Sequence, residues 1–123
     1  MTGLLEDVRV LIVEDEFLLA DDLARALRQE GAKPVGPVSK VDEAQRLLVS
    51  TRVDAAILDL NLHGDMASGF VERLAATGLP CLIVSGYAGD AMPASINKVP
   101  RLEKPVNPTT AVRALAAELT PGA

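Results

Sequence analysis

The feature that most constrains the fold of this chain is the alternation of short apolar runs with longer segments of helical periodicity. The apolar runs are rich in Val, Ile, Leu and Ala and have the length of buried strands. Such alternation predicts a parallel sheet with helices on both faces, because each strand must be carried back along the sheet before the next one begins. The predicted strands are residues 8–13, 33–38, 53–58, 80–84 and 99–103.

The segments that follow these strands differ in how strongly they predict helices. Helices are predicted at residues 16–30, 42–50 and 68–76, and a last one begins at Asn107–Pro108, a good N-cap and first-turn pair. Residues 91–98 are short for a helix and contain Pro93, so we predict a loop or a single turn, that is, a short or degraded fourth helix. Residues 60–67 are predicted to form a loop that is long for a strand-to-helix connection.

The whole pattern matches an α/β, flavodoxin-like (βα)5 doubly wound fold. Its five-stranded parallel sheet is expected in the order 2-1-3-4-5, and the Pro-containing second strand is expected at an edge. We predict a single domain over residues 1–123, with its core at about residues 7–119.

Composition and charge exclude several classes of function. The net charge is −5 without a basic run, which argues against nonspecific binding to nucleic acid or to an anionic membrane surface. No apolar stretch is long enough to span a bilayer, and the N-terminus lacks the pattern of a signal peptide. Cys81 is the single cysteine, which excludes an internal disulfide and suits a reducing compartment. We therefore expect a cytoplasmic domain.

Acidic residues stand where two of the predicted strands end. Glu14 and Asp15 follow the first strand and Asp59 follows the third, and these strands are neighbours in the predicted order. Carboxylates that crowd together resist joint ionisation unless a cation compensates, and Mg²⁺ prefers such oxygen ligands. We assign it Asp15, Asp59 and the backbone carbonyl of Asn61 as ligands, with Glu14 acting through water.

The same edge of the sheet also predicts covalent chemistry. An ionised Asp59 beside Mg²⁺ can attack a phosphoryl group as a carboxylate nucleophile. Lys104 follows the fifth strand and Ser85 the fourth, so both can face the charge that develops on the phosphoryl oxygens. Pro105 after Lys104 raises the chance of a cis peptide that would aim the lysine inward.

With these residues in place, the chain resembles the receiver domain of bacterial two-component response regulators over nearly its whole length. The resemblance rests on the acidic pair Glu14–Asp15, the phosphoacceptor-like Asp59, Asn61, Ser85 and Lys104–Pro105. It implies phosphorylation of Asp59 by a sensor histidine kinase or phosphotransfer protein, with Mg²⁺ as cofactor or Mn²⁺ in its place. It also implies a conformational switch that alters binding to a target protein, then autodephosphorylation. Such a module, a monomer or weak dimer, turns over no external metabolite and is not an enzyme in that sense.

A narrower resemblance concerns residues 83–88. Ile83-Val84-Ser85-Gly86-Tyr87-Ala88 is similar to the Phe-Ala-Thr-Gly-Tyr-Gly-type motif of one receiver subgroup, in which a longer third loop and a degraded fourth helix are common. Typical receivers also carry an aromatic residue three positions before the lysine, and Arg101 stands there. The usual hydroxyl-to-aromatic switch therefore cannot operate in that form. We hypothesise that Tyr87 takes part instead, that Asn61 and Tyr87 tune the phosphoryl lifetime, and that Arg101 is a solvated edge residue or part of a partner surface.

Three other functions remain open at this stage. A phosphatase of the haloacid-dehalogenase type also uses an Asp nucleophile, but it normally has a second Asp where Asn61 stands, and it needs a cap insertion. A flavodoxin-like cofactor binder needs a phosphate-binding loop after the first strand, where Glu14–Asp15–Glu16 would repel a phosphate. A degenerate receiver would serve only for protein binding, although all key positions are present here.

Overall fold

The structure, a computed structural model, describes residues 3–62, 65–86 and 94–119. The strands are β1 Arg9–Val13, β2 Lys33–Val38, β3 Ala55–Asp59, β4 Asn61–Leu62, β5 Asp65–Met66, β6 Cys81–Ser85 and β7 Arg101–Glu103. The helices are α1 Phe17–Gln29, α2 Val41–Ser50, α3 Ser68–Ala76 and α4 Pro108–Leu119, and a single 3₁₀ turn spans Ala94–Ile96.

Five of the strands form one parallel sheet in the order β2-β1-β3-β6-β7. The two-residue strands β4 and β5 form a separate antiparallel ribbon, so the sheet has the predicted 2-1-3-4-5 order of its five strands. This prediction is confirmed. β1 and β3 lie side by side, with Val13 opposite Leu58, which brings the residues that follow both strands to the same place.

The core has two halves, one on each face of the sheet. One half packs against α1 and α4 and includes Ile12, Ile57, Leu23 and Leu115. The other packs against α2 and α3 and includes Leu11, Leu58, Ala44 and Phe70. Neighbouring residues of β1 and β3 thus point to opposite faces, as the two-residue period of a strand requires. Both faces are apolar because helices cover both, which fixes the central strands between two buried layers.

Local signals mark two helix ends, of which the start of α4 at Asn107 was predicted from the sequence. Asn107 caps α4, since its Oδ1 accepts hydrogen bonds from the backbone N–H groups of Thr109 at 2.9 Å and Thr110 at 3.3 Å. Gly31 follows α1 with a φ of 85°, a conformation that favours glycine. On the exposed face of α1, Arg25 and Asp21 form an i,i+4 ion pair, with Arg25 Nη2 at 2.5 Å from Asp21 Oδ2. The bounds of β2 and α3 are those predicted, and the other elements differ by one or two residues at most ends.

Two segments depart from the sequence-based expectation. The predicted loop at residues 60–67 contains the β4–β5 ribbon, in which Asn61 pairs with Met66, and its base is closed by a hydrogen bond from Ala67 N–H to the Leu60 carbonyl at 2.6 Å. Leu5 is only 1% exposed and packs in the core, so packing begins before residue 7.

The fourth helix is reduced to the turn at Ala94–Ile96 within the described residues. None of the helices in the ranges described above is long and apolar enough to cross a membrane.

Candidate functional site

Three carboxylates meet at the carboxyl ends of the two central strands. Glu14 and Asp15 directly follow β1, and Asp59 is the last residue of β3. One oxygen from each of the three lies within 4.8 Å of the others. Glu14 is 3% exposed and Asp59 2% exposed, whereas Asp15 is half-buried. The sheet order therefore brings together the acidic residues that the sequence placed at these strand ends.

Lys104 supplies the positive charge of this cluster from the end of β7. Its Nζ donates to Asp59 Oδ2 at 2.9 Å and to Glu14 Oε2 at 3.1 Å, and it also contacts Glu16 Oε2. The backbone N–H of Lys104 donates to the Ser85 carbonyl at 2.7 Å, which ties the lysine to the end of β6. The Lys104–Pro105 peptide is cis, the arrangement that the sequence suggested.

Burial sets the protonation of this cluster. It raises the pKa of Glu14 to about 8, and the nearby charge of Asp59 adds to this effect, although the Glu16 N–H and Lys104 oppose it. Burial also raises the pKa of Asp59, against hydrogen bonds from the Asn61 N–H and Lys104. For Lys104, burial favours the neutral form, but the contacts with Glu16, Asp59 and Glu14 outweigh it and raise its pKa. Burial therefore disfavours the charged forms of Glu14 and Asp59, and the contacts with Lys104 offset this only in part.

The residues present fit a divalent cation. Glu14 Oε1 is the buried side-chain oxygen that has no hydrogen-bond partner among the described residues, and it belongs to the carboxylate cluster. An orphaned carboxylate oxygen beside two further carboxylates is the donor set that a hard cation such as Mg²⁺ prefers. A hydrogen bond of 2.9 Å from the backbone N–H of Asn61 to Asp59 Oδ1 holds Asn61 next to this cluster.

Ser85 lies beside this cluster, at the end of β6, and is fully buried. Its Oγ accepts a hydrogen bond from Arg101 Nε at 2.8 Å, and Arg101 is partly buried. Arg101 lies on the edge strand β7, as expected, but it is not a fully solvated residue, because it is hydrogen-bonded to the buried Ser85. The strand register explains why, because Arg101 is the partner of Ile83 and so shares a face of the sheet with Ser85, two residues further along β6.

No sequence pattern predicted a contact within the site for Arg101 or Glu16. Glu16 was named only as part of the acidic run Glu14–Asp15–Glu16, yet it reaches Lys104 from the exposed side of the cluster. Its place two residues after Glu14 was the available signal. Tyr87, predicted to act in switching, and His63, a neighbour of the site in sequence, lie outside the described residues.

The fold and the site together define a class of α/β domain that has an acidic pocket, a lysine and a hydroxyl at the carboxyl edge of a parallel sheet. The family model of the response regulator receiver domain matches residues 10–116. The chain therefore belongs to the response regulator receiver domain family, the receiver domains of two-component systems. Members of this family typically bind Mg²⁺ and interact with histidine kinases or phosphotransfer proteins.

Relatives and solved structures are consistent with this membership. The chain is 36% identical to SdrG of Sphingomonas melonis Fr1, with a TM-score of 0.78, over 93% of this chain and 98% of that one. A CheY-like receiver domain protein of Methanospirillum hungatei JF-1 shares the fold with a TM-score of 0.80 at 21% identity, over 93% and 94% of the two chains. The transcriptional regulatory protein PdtaR of Mycobacterium tuberculosis is 43% identical over 54 residues, which are 44% of this chain and 26% of that protein. The chain thus matches only about a quarter of the length of this curated relative.

Proposed function

We propose that the chain is a phosphoacceptor domain in which Asp59 receives a phosphoryl group from a sensor histidine kinase or phosphotransfer protein. The observation that carries this proposal is the placement of Asp59, nearly buried at a strand end, with Lys104 Nζ at 2.9 Å and two further acidic residues within reach of the same cation. Each neighbour has a use in phosphoryl transfer, whereas none is needed to stabilise a strand end.

The transfer proceeds by exchange of one bond for another. A carboxylate oxygen of Asp59 forms a bond to phosphorus as the P–N bond of a phosphohistidine donor breaks, and the electron pair stays on the imidazole nitrogen. The ring leaves as neutral imidazole because its other nitrogen carries a proton. In autodephosphorylation, water attacks phosphorus and the P–O bond to Asp59 breaks. This restores the carboxylate and releases inorganic phosphate and a proton.

The chain's own residues orient and balance the charges of this reaction. Lys104 and the Ser85 hydroxyl face the phosphoryl oxygens, and the Asn61 N–H holds Oδ1 of Asp59, so that Oδ2 is the attacking oxygen. Asp15, Asp59, the Asn61 carbonyl and Glu14 would hold Mg²⁺. The ion, when bound, neutralises the acidic cluster and the transferring group.

A phosphoryl group on Asp59 acts as a switch rather than as an intermediate in metabolism. We propose that it changes the conformation of this edge of the sheet and so alters binding to a target protein. The chain then turns over no external metabolite and works in the cytoplasm. The solved SdrG structures include a BeF3-activated conformation, 35% identical to this chain, which supports switching of this kind.

We also propose that the chain belongs with receivers of the Phe-Ala-Thr-Gly-Tyr type. Three observations favour this assignment. Ser85 ends β6 and is followed by Gly86, the connection after β3 is extended into the β4–β5 ribbon, and the place of the fourth helix holds only a 3₁₀ turn within the described residues.

Two exposed apolar side chains follow the acidic residues Glu14 and Asp15 along the chain. Phe17 and Leu18, in the first turn of α1, are 80% and 77% exposed. Phe17 also lines a groove of about 410 Å³, together with Glu14 and Asp15. We propose this face as the place where the phosphodonor docks, because it combines exposed apolar area with direct access to the acidic cluster.

The test is intact mass after incubation with acetyl phosphate and Mg²⁺. We expect one phosphoryl adduct on the wild-type chain, and none on Asp59→Asn or in the presence of EDTA. Asp54→Asn is the matched control, because Asp54 is another carboxylate next to the central strands but lies at the opposite end of β3. An adduct that persists in Asp59→Asn would contradict the proposal, as would failure to accept phosphoryl groups from any phosphorylated histidine kinase supplied.

A further inference from the structure

Arg101 makes a contact that the phosphoacceptor chemistry does not require. Its Nε–H donates to Ser85 Oγ at 2.8 Å, in a setting where Ser85 is fully buried and Arg101 partly buried. A hydrogen bond from a charged donor in such a place is stronger than one at the surface, so it holds the Ser85 hydroxyl in one orientation.

The position of Ser85 makes this contact consequential. In the β3–β6 ladder Asp59 pairs with Val84, the residue before Ser85, so Ser85 follows the partner of the phosphoacceptor. A phosphoryl group on Asp59 would place anionic acceptor oxygens at this end of the sheet. The serine hydroxyl is then drawn towards two charged groups of opposite sign, the guanidinium of Arg101 and the phosphoryl group.

We infer that Arg101 is a positioning residue for Ser85: it holds the hydroxyl while Asp59 is unmodified and loses it when the hydroxyl turns to donate to the phosphoryl group. This inference rests on the proposed function. Because the guanidinium sits on the edge strand β7, its release changes the position of a positive charge at the rim of the sheet. The switch then operates through a cation instead of through the packing of an aromatic ring.

The first measurement follows the Arg101 Nε–H resonance by NMR on the ¹⁵N-labelled chain, with Mg²⁺ and beryllofluoride as the phosphoryl mimic. The resonance is assigned by its loss in Arg101→Lys. Without the mimic we expect an Nε–H protected from solvent exchange, and loss of that protection in Ser85→Ala. On addition of beryllofluoride the wild-type resonance should lose its protection or shift, and Asp59→Asn should show no response.

The second measurement is the beryllofluoride dissociation constant in a double-mutant cycle. If the Arg101 contact restrains Ser85, Arg101→Met should bind the mimic about tenfold more tightly than the wild type. The same substitution in the Ser85→Ala background should have no effect, because the restrained group is gone. Arg113→Met removes a charge from the exposed face of α4 and should leave both backgrounds unchanged.

The outcomes separate the inference from the function beneath it. Absence of any shift at the Asp59 and Asn61 amides on addition of the mimic would overturn the proposed function and the inference with it. Shifts there with an unchanged Arg101 Nε–H would overturn the inference alone. Arg101→Met binding that is weaker, or altered equally with and without Ser85, would also overturn it, because Arg101 would then act by its charge on the phosphoryl group.

Discussion

A single lysine contacts three carboxylates at the carboxyl edge of the sheet. Lys104 is within hydrogen-bond distance of Glu14 and Asp59, and its contact with Glu16 holds it from the exposed side. The raised pKa values of Glu14 and Asp59 indicate that the folded chain disfavours their charged forms, chiefly because they are buried. The metal-free site is therefore a local source of instability.

We predict that Asp59→Asn stabilises the metal-free protein at neutral pH by about 1 kcal/mol in the free energy of unfolding. The folded-state pKa of Asp59 is raised, so its ionised form costs stability above the unfolded pKa. Asparagine keeps an oxygen for the Asn61 N–H but removes the charge. Urea unfolding in EDTA measures the difference.

The same experiment with added Mg²⁺ provides the matched comparison. Mg²⁺ should stabilise the wild type and have little effect on Asp59→Asn, since the variant lacks a ligand carboxylate. Asp42→Asn, which removes one partner of an exposed pair with Arg46, should change stability by less than about 0.5 kcal/mol. An Asp59→Asn protein less stable than the wild type in EDTA would contradict the argument.

Residue-scale prediction from the sequence succeeded where strand ends alone decided the outcome. Asp59 and Lys104 meet because each ends or follows a strand of one parallel sheet, and their distance apart along the chain does not matter. The Arg101–Ser85 contact was missed because it depends on the register between β6 and β7, which apolar patterns do not specify. When a strand is apolar on both faces, a shift in its register against the neighbouring strand still pairs apolar residues with apolar residues. The hydrophobic pattern therefore does not specify which residues lie opposite each other.

At the scale of elements, the start of α4 is tied to the site through a short connection. Lys104 is followed by the cis-linked Pro105, and three positions after Lys104 Asn107 caps the helix. α4 in turn packs against α1 on one face of the sheet. The cap therefore stabilises a helix whose first residues lie close along the chain to the lysine.

We predict that Asn107→Ala lowers the free energy of unfolding by about 1 kcal/mol, since it leaves the N–H groups of Thr109 and Thr110 without their side-chain acceptor. Chemical denaturation measures this change. Thr109→Ala is the control, because its side chain is exposed on the same turn. Equal stability of Asn107→Ala and the wild type would show that solvent satisfies these groups without cost.

Element-scale prediction was most accurate where local signals and periodicity agree. The bounds of α3 were predicted to the residue: its buried side chains Phe70, Val71 and Leu74 follow helical spacing, and Gly78, with a φ of 87°, lies just beyond its end. The β4–β5 ribbon was not predicted, because strands of two residues have no readable period. Its closure depends on the Ala67–Leu60 hydrogen bond, which exists only once the ribbon has folded.

At the scale of the whole molecule, Asp54 links the beginnings of the two central strands. Its Oδ2 accepts from the Arg9 N–H at 3.0 Å, its Oδ1 accepts from Arg52 Nε at 3.1 Å, and its own N–H donates to the Arg9 carbonyl at 2.8 Å. The Arg9 N–H and Arg52 hold the pKa of Asp54 below its usual 3.8. Its ionised form therefore contributes to global stability.

We predict that Asp54→Asn lowers the free energy of unfolding at neutral pH by about 1 kcal/mol, because a neutral amide accepts the Arg9 N–H less strongly than a carboxylate. The folded-state pKa lies below the unfolded one, so the contribution is present above the unfolded pKa and is lost as the pH falls through the folded pKa. Unfolding curves of both proteins should converge as the pH is lowered below 3.8. A gap that is the same at every pH would contradict this account.

The two edge strands of the sheet limit how it can associate with other molecules. β2 carries Pro34 and Pro37, which have no N–H to offer a further strand, and β7 is only three residues long. Short and proline-interrupted edges are how natural sheets avoid joining to one another. Both edges of this sheet thus disfavour edge-to-edge joining with the sheet of a second molecule.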